Sequence, residues 1–128
     1  LNKADDNVDD LKESEEQTQW ININAFLARL TAENAESSPE GSLDFSLYGI
    51  WALRDALEGV ENIWVPSYKK DTAKVWIERA GLTMRKLSEQ QRQFQGKMAA
   101  PGEGYSSKEW KGYNNERWEA WNSRLQNV

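Results

Sequence analysis

Residues 3–34 contain neither proline nor glycine, so nothing in that stretch punctuates the backbone. Within it the apolar residues Trp20, Ile23, Phe26, Leu27 and Leu30 follow one another at steps of 3, 3, 1 and 3, the period of a helix and not of a strand. The spacing predicts a helix over about 16–34, prolonged at its start by a weakly amphipathic acidic segment and broken by Ser37-Ser38-Pro39-Glu40-Gly41. Residues 1–15 are accordingly expected to be an acidic segment of weak order, and 16–128 a single helical domain.

The rest of the chain reads the same way. Ser42 is placed to cap a second helix running through Leu47, Ile50, Trp51 and Leu57 to a stop at Gly59. Phe45, Tyr48, Ala52, Leu53 and Ala56 make that helix apolar around most of its circumference, so it should lie at the centre. Asp71 is expected to cap a third helix through Ala73, Trp76, Ile77, Ala80, Met84 and Leu87, which then emerges into solvent. Gly49 and Gly81 are expected to let these two helices approach, with Trp51 and Trp76 facing each other in the core. Residues 96–112 lack periodicity and form a long loop, partly docked through Tyr105 and Trp110. Asn114 or Asn115 then caps a last helix through Trp118, Trp121 and Leu125. With no alternating pattern anywhere, the fold class is all-α, a compact bundle of four or five helices with a long loop before the last.

Composition limits the chemistry. The chain has no Cys and no His, which removes thiolate nucleophiles, imidazole bases, disulfides and the common zinc sites. No cofactor or metal is therefore expected. Asp5, Asp6, Asp9 and Asp10 lack the glycine turn and ligand order of an EF-hand. Asp44 and Glu58, at opposite ends of a helical stretch, are about 21 Å apart at helical rise, too far for a glycosidase pair. Gly102-Glu103-Gly104 lacks the lysine and flanking elements of a phosphate loop.

The net charge of −5 sits in residues 1–19, where seven acids face Lys3 and Lys12. Such an opening argues against nucleic acid as a partner, and no apolar run is long enough for a membrane span. The basic stretch 69–97, eight cations against three acids, reads as a solvated helix face, with an anionic-partner site as the alternative. Without Cys or an Asn-x-Ser/Thr acceptor the expected setting is intracellular and cytoplasmic, and a start at Leu1 is compatible with a cleaved targeting peptide.

Four ordered segments, Asn24–Leu30, Trp51–Glu58, Trp76-Ile77 and Glu116–Trp121, resemble a filamentous-fungal family catalogued as a domain of unknown function. The resemblance covers roughly 20–125 and implies a fungal, helical, intracellular protein. It implies no catalytic residue. Lys69-Lys70-Asp71 departs from the small apolar residues that often precede the family's third helix, and its members tend to be longer.

The charged and aromatic residues inside these segments are the candidate binding residues: Arg29, Tyr48, Trp51, Arg54, Asp55, Trp76, Arg117, Trp118 and Trp121, with Glu116 beside them. One reading makes the charges structural ion pairs, such as Arg29 with Asp55, laid over aromatic faces. The other makes them an anion-binding or acid–base group in a Trp-lined pocket. Two functions compete. The first is a protein-interaction module, acting on a protein partner or as a homo-oligomer. The second is a small-molecule binder, or an isomerase- or cyclase-type enzyme, with a pocket between the Trp51 and Trp76 helices. A closed pocket with unpaired Arg29, Arg54 or Asp55 favours the second, and a filled core beside an exposed aromatic patch favours the first.

Overall fold

The structure, a computed structural model, describes residues 3–37 and 45–126, with side chains described for 11–33 and 45–126. The described residues form four α-helices: α1 (Lys3–Ser37), α2 (Ser46–Leu57), α3 (Ser67–Glu89) and α4 (Asn115–Gln126). A single 3-10 turn, Glu103–Tyr105, interrupts the loop before α4. Among the described residues no strand forms, only an isolated antiparallel pair, Gln93 with Gly112. The all-α bundle expected from periodicity is thus the observed fold. The Ser42 cap, the Pro39 break and Asp44 lie outside the described residues.

α1 is longer than its apolar stripe suggests, because the uninterrupted sequence lets it start at Lys3. More consequential is which face it buries. Asn24, Ala28 and Thr31, at steps of 4 and 3, are buried against the bundle, whereas Trp20, Ile23 and Phe26 stay 49–60% exposed. Of the residues that set the helical period, Leu27 packs against the core while Trp20, Ile23 and Phe26 do not. Small side chains explain the choice: Ala28 and Thr31 on α1, and Ala73 and Ala80 on α3, are all buried, and they let the backbones approach more closely than a Trp-Ile-Phe stripe would.

The buried hydroxyls are accommodated within their own helices, since Thr31, Thr72 and Ser88 each donate to the carbonyl four residues back at 2.7–2.8 Å. The buried indole of Trp76 donates to Asn24 Oδ1 at 2.9 Å, and Asn24 Nδ2 donates to Trp20 O at 3.0 Å, so neither polar group is left dry.

α2 is in contact with all three other helices, as its broad apolar surface requires, and so is α3. At Gly49 α2 meets its neighbours closely: an added Cβ would stand 2.8 Å from Tyr113 Oη and 3.0 Å from the Trp76 ring. Gly81 has no such role, its nearest neighbour being Ile77 of its own helix at 3.8 Å. Trp51 also departs from expectation. It is only half-buried and turns its indole away to donate to Met98 O at 2.7 Å. Gly49→Leu should destabilise the protein by about 1 to 3 kcal/mol through overpacking, read as a lower urea midpoint with an unchanged slope.

α3 begins at Ser67 after Pro66, four residues before the Asp71 cap expected from sequence. Proline fixes φ at a value suited to helix entry, and Pro66 O accepts Lys69 N–H at 3.1 Å, so the helix is under way before Asp71 is reached. Its end differs too. Ser88 is buried rather than solvated, and beyond Glu89 the chain turns at Gln91 (φ 55°) to pair with the segment leading into α4. There Phe94 N–H donates to Lys111 O, and Tyr113 N–H to Arg92 O, both at 2.8 Å.

From Leu11 to Trp20 every side chain of α1 except Gln17 is exposed. Deleting residues 1–15 is therefore expected to leave the thermal midpoint within a few degrees of the full chain in a calorimetric scan, since exposed acids add little packing energy.

Candidate functional site

Two constellations gather the residues singled out by sequence, and they differ in kind. The first is buried. Glu58, the residue that follows α2, has no solvent exposure, and neither does Arg117 of α4. Arg117 Nε donates to Glu58 Oε2 at 2.7 Å and Nη2 to Oε1 at 3.0 Å, a two-pronged pair between residues 59 positions apart. Arg117 Nη1 donates to Ala99 O at 2.7 Å and Gly112 O at 3.1 Å, while Nη2 also donates to Ala100 O at 3.2 Å. A guanidinium has five N–H groups, and these contacts engage all of them. Glu58 in turn accepts Gly102 N–H at 2.9 Å on Oε1, and the Trp121 indole on Oε2. The rings of Trp110 and Trp121 stand 5.3 and 5.4 Å from the guanidinium carbon.

This arrangement leaves no donor on Arg117 to offer a ligand, and its product is structural. Together with Trp51 on Met98 O and Arg54 Nη1 on Ala100 O at 3.0 Å, it fastens residues 98–112 to the bundle. Gly104 N–H closes the loop on Glu58 O at 2.9 Å, and a Cβ at Gly104 would collide with Gly59 O. Asn114 Oδ1 accepts Arg117 N–H at 2.8 Å, the cap expected from sequence. Trp118, half-buried, meets Trp121 edge-on with ring centres 6.5 Å apart.

Beside Arg117, Glu116 is exposed and accepts Trp110 Nε1 at 2.7 Å and Lys108 Nζ at 3.0 Å. The indole hydrogen bond, and after it the bond from Lys108, hold its carboxyl below the usual carboxylate value of 4.5. A depressed folded-state pKa contributes stability that is present above the unfolded value and lost as pH falls through the folded one. Trp110→Phe should accordingly move the Glu116 titration midpoint back up, followed by carbon-detected NMR of its side chain below pH 5.

The second constellation is open. α1, α2 and the start of α3 enclose a groove of about 940 Å³, lined by Trp20 and Ile23 of α1, Tyr48 and Trp51 of α2, and Tyr68 and Thr72 of α3. Arg54 and Asp55 are also on its wall, so four of the candidate residues meet here. Tyr48 is 43% exposed, and its ring stands edge-on to Trp51 at 5.3 Å. Among the described residues a second, more polar hollow of about 720 Å³ lies between Gly59, Ile63, Val65, Tyr105 and Arg124.

The remaining candidates fall elsewhere. Arg29 does not meet Asp55: it pairs with Glu33 on the surface of α1 at 3.0 Å, because both lie on the exposed side one turn apart. Trp76 fills the core around Gly49 and does not line the groove, so the hollow between the Trp51 and Trp76 helices lies toward the start of α3, at Tyr68 and Thr72. Glu58 was legible only as an acid at the end of a motif, and Ile23 and Trp20 only as members of an apolar stripe. The signal for Glu58 was its place in the Trp51–Glu58 segment, matched by Arg117 in Glu116–Trp121.

A family model described as "Protein of unknown function (DUF3632)" matches residues 2–125. Neither a curated protein nor a solved structure matches the chain.

Proposed function

We propose that this chain, which belongs to that family of proteins of unknown function, is a protein-interaction module whose contact surface is the α1–α2 groove. One observation carries the reading: Trp20, Ile23 and Phe26 present an exposed apolar stripe on α1, and the first two border an open groove, while the core beneath is filled. Tyr48 and Trp51 supply aromatic residues of the kind that dominate interface hot spots. A homo-oligomeric version uses the same surface. The setting proposed is the cytoplasm, in keeping with a cysteine-free chain.

The alternative, a small-molecule binder or an isomerase- or cyclase-type enzyme, has less in its favour. Arg29, Arg54 and Arg117 are each engaged within the protein, and Asp55 is exposed on the groove's rim rather than enclosed.

The test is a photoreactive amino acid placed at Ile23, at Tyr48 and, as a control on the exposed side of α3, at Arg85, with the full chain expressed in its cells of origin. Adducts of defined mass from the first two positions, absent at Arg85 and lost when Trp20→Ala is added, are expected. Equal labelling at all three positions, or none, overturns the reading. An adduct of twice the chain's mass assigns the groove to a second copy.

A further inference from the structure

We infer that the groove between α1 and α2 takes the cationic edge of an amphipathic helix supplied by a different protein. This inference rests on the interaction reading above and adds the partner's chemistry. The aromatic wall comes first. Trp20, at 49% exposure, and Tyr48, at 43%, offer ring surface to the groove, and Tyr48 is held edge-on to Trp51 at 5.3 Å. Aromatic faces carry partial negative charge and attract lysine ammonium or arginine guanidinium groups.

Charge on the lining points the same way. Glu13, Glu16 and Asp55 border the groove and are exposed. The opposing cations are Arg54, whose Nη1 is directed to Ala100 O, and Lys69, half-buried at the α3 end. The charge continues beyond the cavity along α1, where residues 11–19 carry Glu13, Glu15 and Glu16 against Lys12, all exposed. Apolar residues at helical spacing, Trp20 and Ile23, flanked by carboxylates, complement a helix with leucine-type anchors and lysine or arginine on its edges. A second copy of this chain fits poorly as occupant, since pairing two acidic α1 segments side by side sets like charges against each other.

The experiment measures fluorescence anisotropy of two labelled amphipathic peptides with the same leucine face, one edged with lysine and one with glutamate, added to the full chain. The lysine peptide is expected to bind about tenfold or more tightly than its twin, and to weaken as salt rises to about 0.15 M. Glu16→Lys with Asp55→Lys should abolish that preference, whereas Glu119→Lys with Glu109→Lys, an equal charge change on exposed residues outside the groove lining, should leave it intact. Tyr48→Ala should weaken the lysine peptide by about two- to fivefold. Equal affinity for both peptides, with Trp20→Ala still weakening both, overturns the cationic inference and leaves the interaction surface standing. A lysine preference moved as much by the Glu119 and Glu109 changes as by those in the groove also overturns it, as does binding of neither peptide; photo-crosslinking at Ile23 then decides the interaction reading separately.

Discussion

Arg117→Leu is expected to lower folding stability by about 3 to 5 kcal/mol, the usual cost of breaking a buried ion pair from one side. The change strands the Glu58 carboxylate without its cation in a site with no solvent exposure. It also removes the donors that hold Ala99 O and Gly112 O and one of the two on Ala100 O, so residues 98–112 lose much of their fastening. Against a total stability of about 5 to 15 kcal/mol that loss is a large fraction. Urea denaturation followed by far-ultraviolet circular dichroism gives the magnitude, and amide hydrogen exchange should show the loop opening before the helices. Replacing both partners, Glu58→Gln with Arg117→Leu, should cost less than Arg117→Leu alone, because the stranded charge is then absent. A loss below about 1 kcal/mol for the single change would mean that the pair adds little to the fold.

Truncation after Gly112 should have the larger effect of the two and leave no cooperative unfolding transition. It removes Tyr113, which reaches Ser46 O at 2.7 Å, the Arg117 guanidinium, and Trp121, whose indole is fully buried. The face of α2 around Gly49 and the carboxylate of Glu58 would then be open to water. Size-exclusion chromatography of the truncated chain should give aggregate, and its circular dichroism a reduced helix signal. A truncated chain that stays folded and soluble, with fewer subunits than the full chain, would instead make α4 an association element.

The contrast between α1 and α4 shows how far the sequence reaches. In both helices apolar residues recur at helical steps, and in both the period correctly announces a helix. In α4 the striped face is the packed face, with Trp121 in the core and Trp118 and Leu125 against it. In α1 only part of it is: Leu27 lies against the core, whereas Trp20, Ile23 and Phe26 stay exposed because Ala28 and Thr31 allow closer contact with α3. Hydrophobic periodicity is a property of one segment, whereas burial depends on the shape of a second segment, which no local pattern describes.

Helix content, the broad apolar surface of α2, a cap at Asn114 or Asn115 and the unperiodic loop were determined by the sequence itself, since each depends on propensity, capping or spacing within a few residues. Pairing was decided only by the tertiary structure. The pairing read from the sequence was Arg29 with Asp55, and nothing in the sequence pointed from Arg117 to Glu58, three positions beyond Asp55. The end of α2 leaves Glu58, the residue after it, inward and Asp55 outward, so the one becomes the hub of the loop and the other the rim of a groove. That choice is made by helix rotation against α4 across 59 residues of chain. A local sequence pattern holds no information on such a rotation, because it is set by how the whole core fills space.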